Sequence, residues 1–358
     1  MRKIRYAMIG FGGIAENRIA KEGFARDTKR FPTAPTNYEL IGAFDLNPAR
    51  RKAVESYGLR WYDSMQSLLA DETIDAVFVG TNNLSHASAA TAALEAGKHV
   101  IVEKPIATTP DDVMALIRLA RSKNLSLCVD HMMVHNRLNK SAKELVQSGK
   151  LGVVNDSCFH MEFLYGADPA EAATWRCNNP AELGGPIGDV ASHCFYMAEF
   201  IFDDVIAKVA AVYLPKTLPI HVENGAYIKF AMKSGLEGSV KVAFSENRGG
   251  LCGTLTNLGF EIYGSDAILR SFGTLFQLSG HPDEPIKIRL ELDTRGCQEK
   301  ITVDDGFIPN IYQTLIWHHA NSILDEKPFV PDDGLRNVRQ CLAAHQSAQN
   351  GGSWVAVD

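Results

Sequence analysis

The stretch Tyr6-Ala7-Met8-Ile9-Gly10-Phe11-Gly12-Gly13-Ile14-Ala15 decides the fold. Its first four residues read as a buried strand, and a helical spacing of apolar residues then runs from Ile19 to Phe24. Between the two stands G-x-G-x-x-A, placed as a dinucleotide-binding turn requires: strand, tight turn, helix. Gly10 permits the turn, Gly12 lets the backbone approach a pyrophosphate, and Ala15 lets the helix pack closely on the strand. The helix N-terminus offers N–H groups and a dipole to phosphates. Glycine-rich turns between strand and helix also arise for structural reasons alone, so the surrounding chain has to carry the reading.

Outward from the turn, 38–44 reads as a second strand that ends at Asp45. An acid there can accept hydrogen bonds from both adenosine ribose hydroxyls and repel a 2′-phosphate, which favours NAD over NADP. Asp45 lies thirty residues beyond Ala15, more than the usual ~20. A loop insertion around 28–37, carrying Pro32 and Pro35, accounts for the excess. Arg50 and Arg51 are near enough to meet a 2′-phosphate, which keeps NADP open, although solvated helix residues are the simpler reading of both. A third strand at 74–80 ends in Thr81-Asn82-Asn83, and an alanine-rich helix at 85–96 stops at Gly97. A fourth strand at 99–103 carries Glu103-Lys104-Pro105 at its C-terminal end; a helix at 111–122 and a strand at 126–130 follow. Strands and helices that alternate at these lengths predict a doubly wound parallel sheet. Ligands of such sheets bind beyond the carboxyl ends of the strands, which puts Lys104 on the binding side.

After residue 131 the pattern changes. A helix at 138–148 is followed by strand-like segments at 153–163, 206–214, 226–232, 238–244, 260–263 and 286–292. Strands in succession after a βαβ region predict a second domain on a mostly antiparallel sheet. The expected division is a Rossmann domain at 1–131 and an α+β domain for substrate binding and oligomerisation at 132–358, the latter including helices near 311–324 and 334–349. Within it lies Gly184-Gly185-Pro186-Ile187-Gly188-Asp189-Val190-Ala191-Ser192-His193. Pro186 suits a first helical turn. Asp189 and His193, four residues apart, then share a face as a carboxylate–imidazole pair able to move a proton. The same spacing also fits an ordinary surface pair.

Composition narrows the function classes. The 358 residues are 46% hydrophobic and 22% charged, normal for a globular chain with a sizeable core. A net charge of −6 without a basic tract argues against nucleic acid and anionic membranes as partners. Seven scattered cysteines without a CxxC suggest free thiols in a reducing compartment. No apolar run is long enough for a signal peptide or a membrane span, and a cytoplasmic protein is expected. His318-His319 invites a metal reading, but adjacent helical side chains point about 100° apart, and no metal is expected.

Three separated motifs, Gly10 to Ala15, Glu103-Lys104-Pro105 and Gly184 to His193, together resemble the glucose–fructose oxidoreductase/inositol dehydrogenase (Gfo/Idh/MocA) family. So do Ala93-Leu94-Glu95-Ala96-Gly97-Lys98-His99-Val100, Gly149-Lys150-Leu151-Gly152, Trp175-Arg176 and Phe260-Glu261-Ile262-Tyr263-Gly264-Ser265. The resemblance covers nearly the whole chain. It implies an NAD(P)-dependent oxidoreductase acting on a sugar, sugar derivative or cyclitol, working as a homodimer or homotetramer. Lys104 would touch the reacting oxygen, Asp189 and His193 would stand nearest the substrate with His193 as acid/base, and a cis bond would precede Pro105. The cofactor set implied is Gly10, Phe11, Gly12, Gly13, Ile14, Ala15, Asp45, Thr81, Asn82, Asn83, His86, Glu103 and Lys104. Trp175 and Arg176 would wall the substrate pocket. The chain departs from the family in lacking a proline at Asn82 and in having Arg137-Leu138-Asn139-Lys140 where Arg-Phe-x-Pro is common. Two other classes stay open: an NAD-retaining glycosidase or lyase that oxidises transiently, and a non-catalytic NAD-sensing protein.

Overall fold

β1 (Ile4–Ile9) is apolar and buried at every position except Arg5, as a strand covered on both faces must be. In the computed structural model, which describes residues 2–33, 35–247, 257–275, 288–301 and 310–357, β1 lies inside a six-stranded sheet. Its companions are β2 (Tyr38–Phe44), β3 (Arg60–Trp61), β4 (Ala76–Val79), β5 (His99–Val102) and β6 (Leu127–Val129). The order is β3-β2-β1-β4-β5-β6, with every pairing parallel. The strand order reverses between β1 and β4, and ligands of such sheets bind beyond the carboxyl ends of the strands at that point. The short β3 has too little pattern to be read from sequence.

Local chemistry sets the helices between these strands. The helix Pro110–Ser122 starts where the Thr109 hydroxyl accepts the Asp112 N–H at 3.2 Å and Pro110 takes the first position. The helix after the glycine turn, Ala15–Gly23, winds wider than an α-helix. At its end the Phe24 N–H bonds the Ile19 carbonyl, five residues back, at 2.8 Å.

Among the described residues the second sheet has nine strands: β7 (Val154–Glu162), β8 (Ile206–Tyr213), β9 (Gly225–Met232), β10 (Glu237–Ala243), β11 (Leu258–Gly264), β12 (Ala267–Phe272), β13 (Arg289–Thr294), β14 (Cys297–Ile301) and β15 (Val355–Ala356). Their order is β14-β13-β12-β11-β7-β10-β9-β8-β15. All pairs are antiparallel except β7 with β10. Side chains alternate along β7: Ser157, Phe159 and Met161 are buried, while Cys158 and His160 are partly exposed.

The chain divides into two compact units, Met1–Met132 with Pro309–Leu335, and Met133–Ile308 with Arg336–Asp358. The first break falls one residue from the expected boundary. The helix Ile311–Leu324 departs from expectation, because it packs in the first unit and not with the second sheet. Its buried residues Tyr312, Leu315, Ile316 and Ala320 need cover, and the anchors are specific. Gln313 Nε2 donates to the Glu22 carbonyl at 3.0 Å, Asn310 Nδ2 donates to Glu22 Oε2 at 3.0 Å, and the Tyr6 hydroxyl lies 2.7 Å from His319 Nδ1. Burial, and next to it the charge of His99, lowers His319 to about 3, so this imidazole is a neutral core residue. The six described cysteines are free thiols; Cys252 lies outside the described residues. Among the described residues no helix is long and apolar enough to cross a membrane.

Candidate functional site

In the first unit the glycine turn is fixed by its own surroundings. Gly10 has φ +88°, where a side chain is strained, and an added Cβ would stand 2.7 Å from the Gly80 carbonyl oxygen. Gly12 and Gly13 differ: both are exposed, and a Cβ on either would meet no atom of the described residues within 4 Å. Nothing in the fold itself asks for glycine at those two positions. The open space in front of them, at the start of a helix, fits the pyrophosphate of a dinucleotide. Phe11 and Ala15 are buried and hold the turn down, while Ile14 is half-buried.

Asp45 stands directly after β2. Its Oδ2 accepts the Phe11 N–H at 2.6 Å and its Oδ1 accepts the Asn47 N–H at 2.8 Å. The acid therefore ties the end of β2 to the glycine turn, a structural task that spacing did not reveal. Arg50 is bound in place: Nε donates to the Phe11 carbonyl at 2.7 Å, and the guanidinium pairs with Glu16. Partial burial works against ionised Glu16, but hydrogen bonds from Arg50 and Tyr57 and the Arg50 charge outweigh it and lower this carboxyl. Arg51 pairs with Glu55 at 2.8 Å and with Asp63 at 3.8 Å.

Beyond β4 and β5 the remaining first-unit residues meet. The peptide bond between Lys104 and Pro105 is cis. His86 is fully buried, with Nδ1 2.7 Å from the Pro105 carbonyl oxygen and Nε2 3.2 Å from that of Thr81. The imidazole thus bridges the loop after β4 to the Lys104–Pro105 turn, and holds the backbone of both. Asn82 precedes the helix Asn83–Glu95, and its Oδ1 accepts the Ser85 hydroxyl at 2.7 Å. Asn83 is buried within that helix. Glu103 Oε2 accepts the Lys104 N–H at 3.0 Å. One neighbour escaped the sequence reading: Asp130, fully buried just after β6.

In the second unit the Gly184–His193 stretch has its own logic. Gly185 has φ +84°, and a Cβ there would lie 2.5 Å from Glu223 Oε2. Glu223 Oε1 accepts the Ile187 N–H at 2.8 Å, so a carboxylate satisfies a donor that a helix start leaves open. Residues Ile187–Ala191 form a wide turn that runs into the helix Ser192–Phe202, so Asp189 and His193 straddle a change of winding. Asp189 Oδ1 lies 3.6 Å from Arg176 Nε, and the Arg176 guanidinium is 4.4 Å from the Trp175 ring. Asp189, Arg176 and Trp175 therefore form one cluster. His193 is 3% exposed, and its Nδ1 lies 2.8 Å from the Tyr196 hydroxyl. Tyr196 was not singled out from sequence; its i+3 spacing from His193 on a helix was the available signal.

Comparison with known proteins agrees with both units. A family model described as an oxidoreductase family with an NAD-binding Rossmann fold matches residues 4–131, and the C-terminal domain model of the same family matches 139–270. The 1,5-anhydro-D-fructose reductase of Ensifer adhaerens is 25% identical over 292 residues, 80% of this chain and 81% of that one. The levoglucosan dehydrogenase of Pseudarthrobacter phenanthrenivorans is 31% identical over 176 residues, 47% of this chain and 43% of that one. A solved structure of levoglucosan dehydrogenase, in complex with NADH and levoglucosan, superposes with a TM-score of 0.79 at 22% identity, covering 100% of both chains, which is a likeness of fold. Since the two models together span the nucleotide turn, the lysine–proline turn and the Asp189–His193 helix, the chain belongs to the Gfo/Idh/MocA family of NAD-binding oxidoreductases.

Proposed function

We propose that this protein moves a hydride between NAD and a carbon bearing a hydroxyl or carbonyl group on a sugar, sugar derivative or cyclitol. The observation that carries the reading is the placement of Lys104, at the carboxyl end of β5 in the sheet whose β1 turn has the open glycines. Relatives that act on an anhydro-sugar and on levoglucosan support the substrate class. When bound, the nicotinamide supplies the hydride chemistry. The chain's own residues orient substrate and manage the proton. The Lys104 ammonium donates to the reacting oxygen and stabilises negative charge that develops there. His193 takes the hydroxyl proton at Nε2. For that, Nδ1 must carry hydrogen and donate it to Tyr196, as their 2.8 Å separation allows. Asp189, Arg176 and Trp175 hold substrate hydroxyls. Glu162 is buried, 3.3 Å from His160 and 3.6 Å from Lys241, which favours a structural part for it over substrate binding.

NAD is the expected cofactor, and the reason is occupancy. Arg50 is committed to Phe11 and Glu16, Arg51 to Glu55 and Asp63, and Asp45 brings negative charge to the ribose end of the turn. A 2′-phosphate would face that charge with neither arginine available. The dissociation constant for NAD should be tighter than for NADP by roughly tenfold or more. Equal binding would assign Arg50 or Arg51 to the phosphate. The comparison uses the parent chain, because an Asp45 variant would also loosen the turn.

A screen of polyols, inositols and sugars with NAD, following absorbance of the reduced nicotinamide, tests the reaction. Net NADH that scales with substrate supports it. Turnover of a glycoside without net NADH would favour the transient-oxidation reading, and absence of turnover with tight NAD binding would favour a sensor. A homodimer or homotetramer is proposed as the working form, with Val212, Tyr227 and Trp354 exposed on the second unit, and sedimentation velocity checks it. A monomer at micromolar concentration would end that part of the reading.

A further inference from the structure

Asp130 leaves β6 beside the lysine motif. β5 and β6 are parallel with Val102 opposite Val129, and the Asp130 N–H donates to the Val102 carbonyl at 2.8 Å. Glu103 and Asp130 therefore leave adjacent strand ends, about 4.8 Å apart by strand spacing. Asp130 is 0% exposed, whereas Glu103 and Lys104 are half-buried. With both acids drawn ionised, neither Asp130 oxygen finds a hydrogen-bond donor among the described residues. A proton on Asp130 gives one of its oxygens a partner, because the hydroxyl can then donate to the Glu103 carboxylate. The groups facing Asp130 are Glu103 and Lys104 after β5, Tyr312 on the helix Ile311–Leu324, and Cys128 on β6; the next residue in the chain, His131, is paired to Asp333 at 2.8 Å. Burial first, and then the neighbouring Glu103 carboxylate, push Asp130 well above the usual carboxylate range, while Lys104 opposes the shift. Of the two acids Glu103 is the one to stay ionised, being more exposed and already accepting the Lys104 N–H at 3.0 Å.

We propose that Asp130 remains a neutral carboxylic acid whose hydroxyl donates to ionised Glu103, which makes Asp130 a positioning residue for the Glu103–Lys104 turn. The Lys104 ammonium then feels one buried negative charge and not two. It is offset one for one, and stays able to donate to a substrate oxygen instead of being captured by a doubly charged pair. That last consequence rests on the role proposed for Lys104; the proton on Asp130 does not.

The test needs neither substrate nor turnover. In the full chain labelled with 13C at aspartate carboxyls, one resonance should keep the shift of a protonated acid at pH 7 and be absent from Asp130→Asn. If every aspartate is ionised at pH 7, the proposal falls, whether or not the variant folds. Thermal stability gives a second readout with a definite sign. An aspartate in the unfolded chain ionises near pH 3.9, so folding the parent above that pH must bind a proton at Asp130. Parental stability is then lost progressively as pH rises toward the folded pKa, and Asp130→Asn is spared that loss. The melting temperature of Asp130→Asn minus that of the parent should grow more positive from pH 5 to pH 8. A constant offset, as a purely packing effect would give, overturns the assignment. The third readout concerns position. As the parent loses the Asp130 proton in alkali, the added negative charge should weaken NADH binding, measured by fluorescence, several-fold, and Asp130→Asn should lack this alkaline limb. The same limb in both proteins removes Asp130 from the positioning role.

Discussion

Gly12→Val is expected to leave the fold standing and to remove most of the affinity for NADH, while Gly10→Ala does the reverse of the first half and unsettles the fold. The contrast follows from two kinds of glycine in one turn. At Gly12 an added Cβ meets no atom of the described residues within 4 Å, and the backbone is not in the left-handed region, so valine costs the folded chain little. What valine fills is the space a pyrophosphate would use. Losing two charge-assisted hydrogen bonds at about 1.5–3 kcal/mol each corresponds to a dissociation constant weaker by ~10²-fold or more. At Gly10, φ is +88° and the Cβ would press on Gly80 oxygen at 2.7 Å and Thr81 nitrogen at 2.9 Å. Alanine there should cost about 1–3 kcal/mol in backbone strain alone, with the clash added, and lower the melting temperature by several degrees. Circular-dichroism melts and fluorescence titration with NADH separate the two. Parental NADH affinity in Gly12→Val would show that the open space in front of the turn is not where the pyrophosphate lies.

The same distinction explains what could be read from sequence. The dinucleotide turn was legible because its demands fall on consecutive residues: Ile9, Gly10, Gly12 and Ala15 each answer a different constraint within one strand–turn–helix. The alternation that follows it carried the parallel sheet, and strand boundaries such as 38–44 coincide with β2. Partnerships made across long sequence separations were not legible. The helix Ile311–Leu324 is amphipathic in any setting, and only the buried Glu22 and Tyr38 show that it covers the first sheet's side of the chain. Asp130 looked like the last residue of a strand, since its chemistry comes from the register that sets Val129 beside Val102, one residue before Glu103. Asp45 was read for its charge, yet its hydrogen bond to the Phe11 N–H depends on how β2 lies against β1. The Asp189–His193 spacing was legible, but the contacts of Asp189 with Arg176 and of His193 with Tyr196 are ones that a one-dimensional pattern does not rank.

Lys104→Ala and His193→Ala should each lower kcat by roughly 10²–10⁴, with NADH affinity nearly unchanged. Oxidation of a carbinol carbon requires its hydroxyl proton to leave as the carbonyl forms, so one group must accept that proton and another must stabilise the charge on oxygen. The chain offers an ammonium at Lys104 in the first unit and a 3%-exposed imidazole at His193 in the second. A ring held at Nδ1 by Tyr196 presents its other nitrogen in one orientation, so less reorganisation precedes proton transfer than for a freely rotating ring. Tyr196→Phe keeps the ring but removes this bond. At about 1 kcal/mol for a neutral hydrogen bond, kcat should fall roughly fivefold, far less than in His193→Ala. The pH dependence carries a sign. Protonation of His193 stops it from accepting the substrate proton, so kcat for oxidation should fall on the acidic side in the parent. His193→Ala should lose that limb, and Tyr196→Phe should keep it. If both act on one proton-coupled step, as proposed, the double variant Lys104→Ala/His193→Ala should be less impaired than the product of the two single effects. A His193→Ala enzyme with near-parental kcat and an unchanged acidic limb would move the proton to another group. Tyr196 would then be the first to test, because its hydroxyl lies 2.8 Å from the ring's Nδ1.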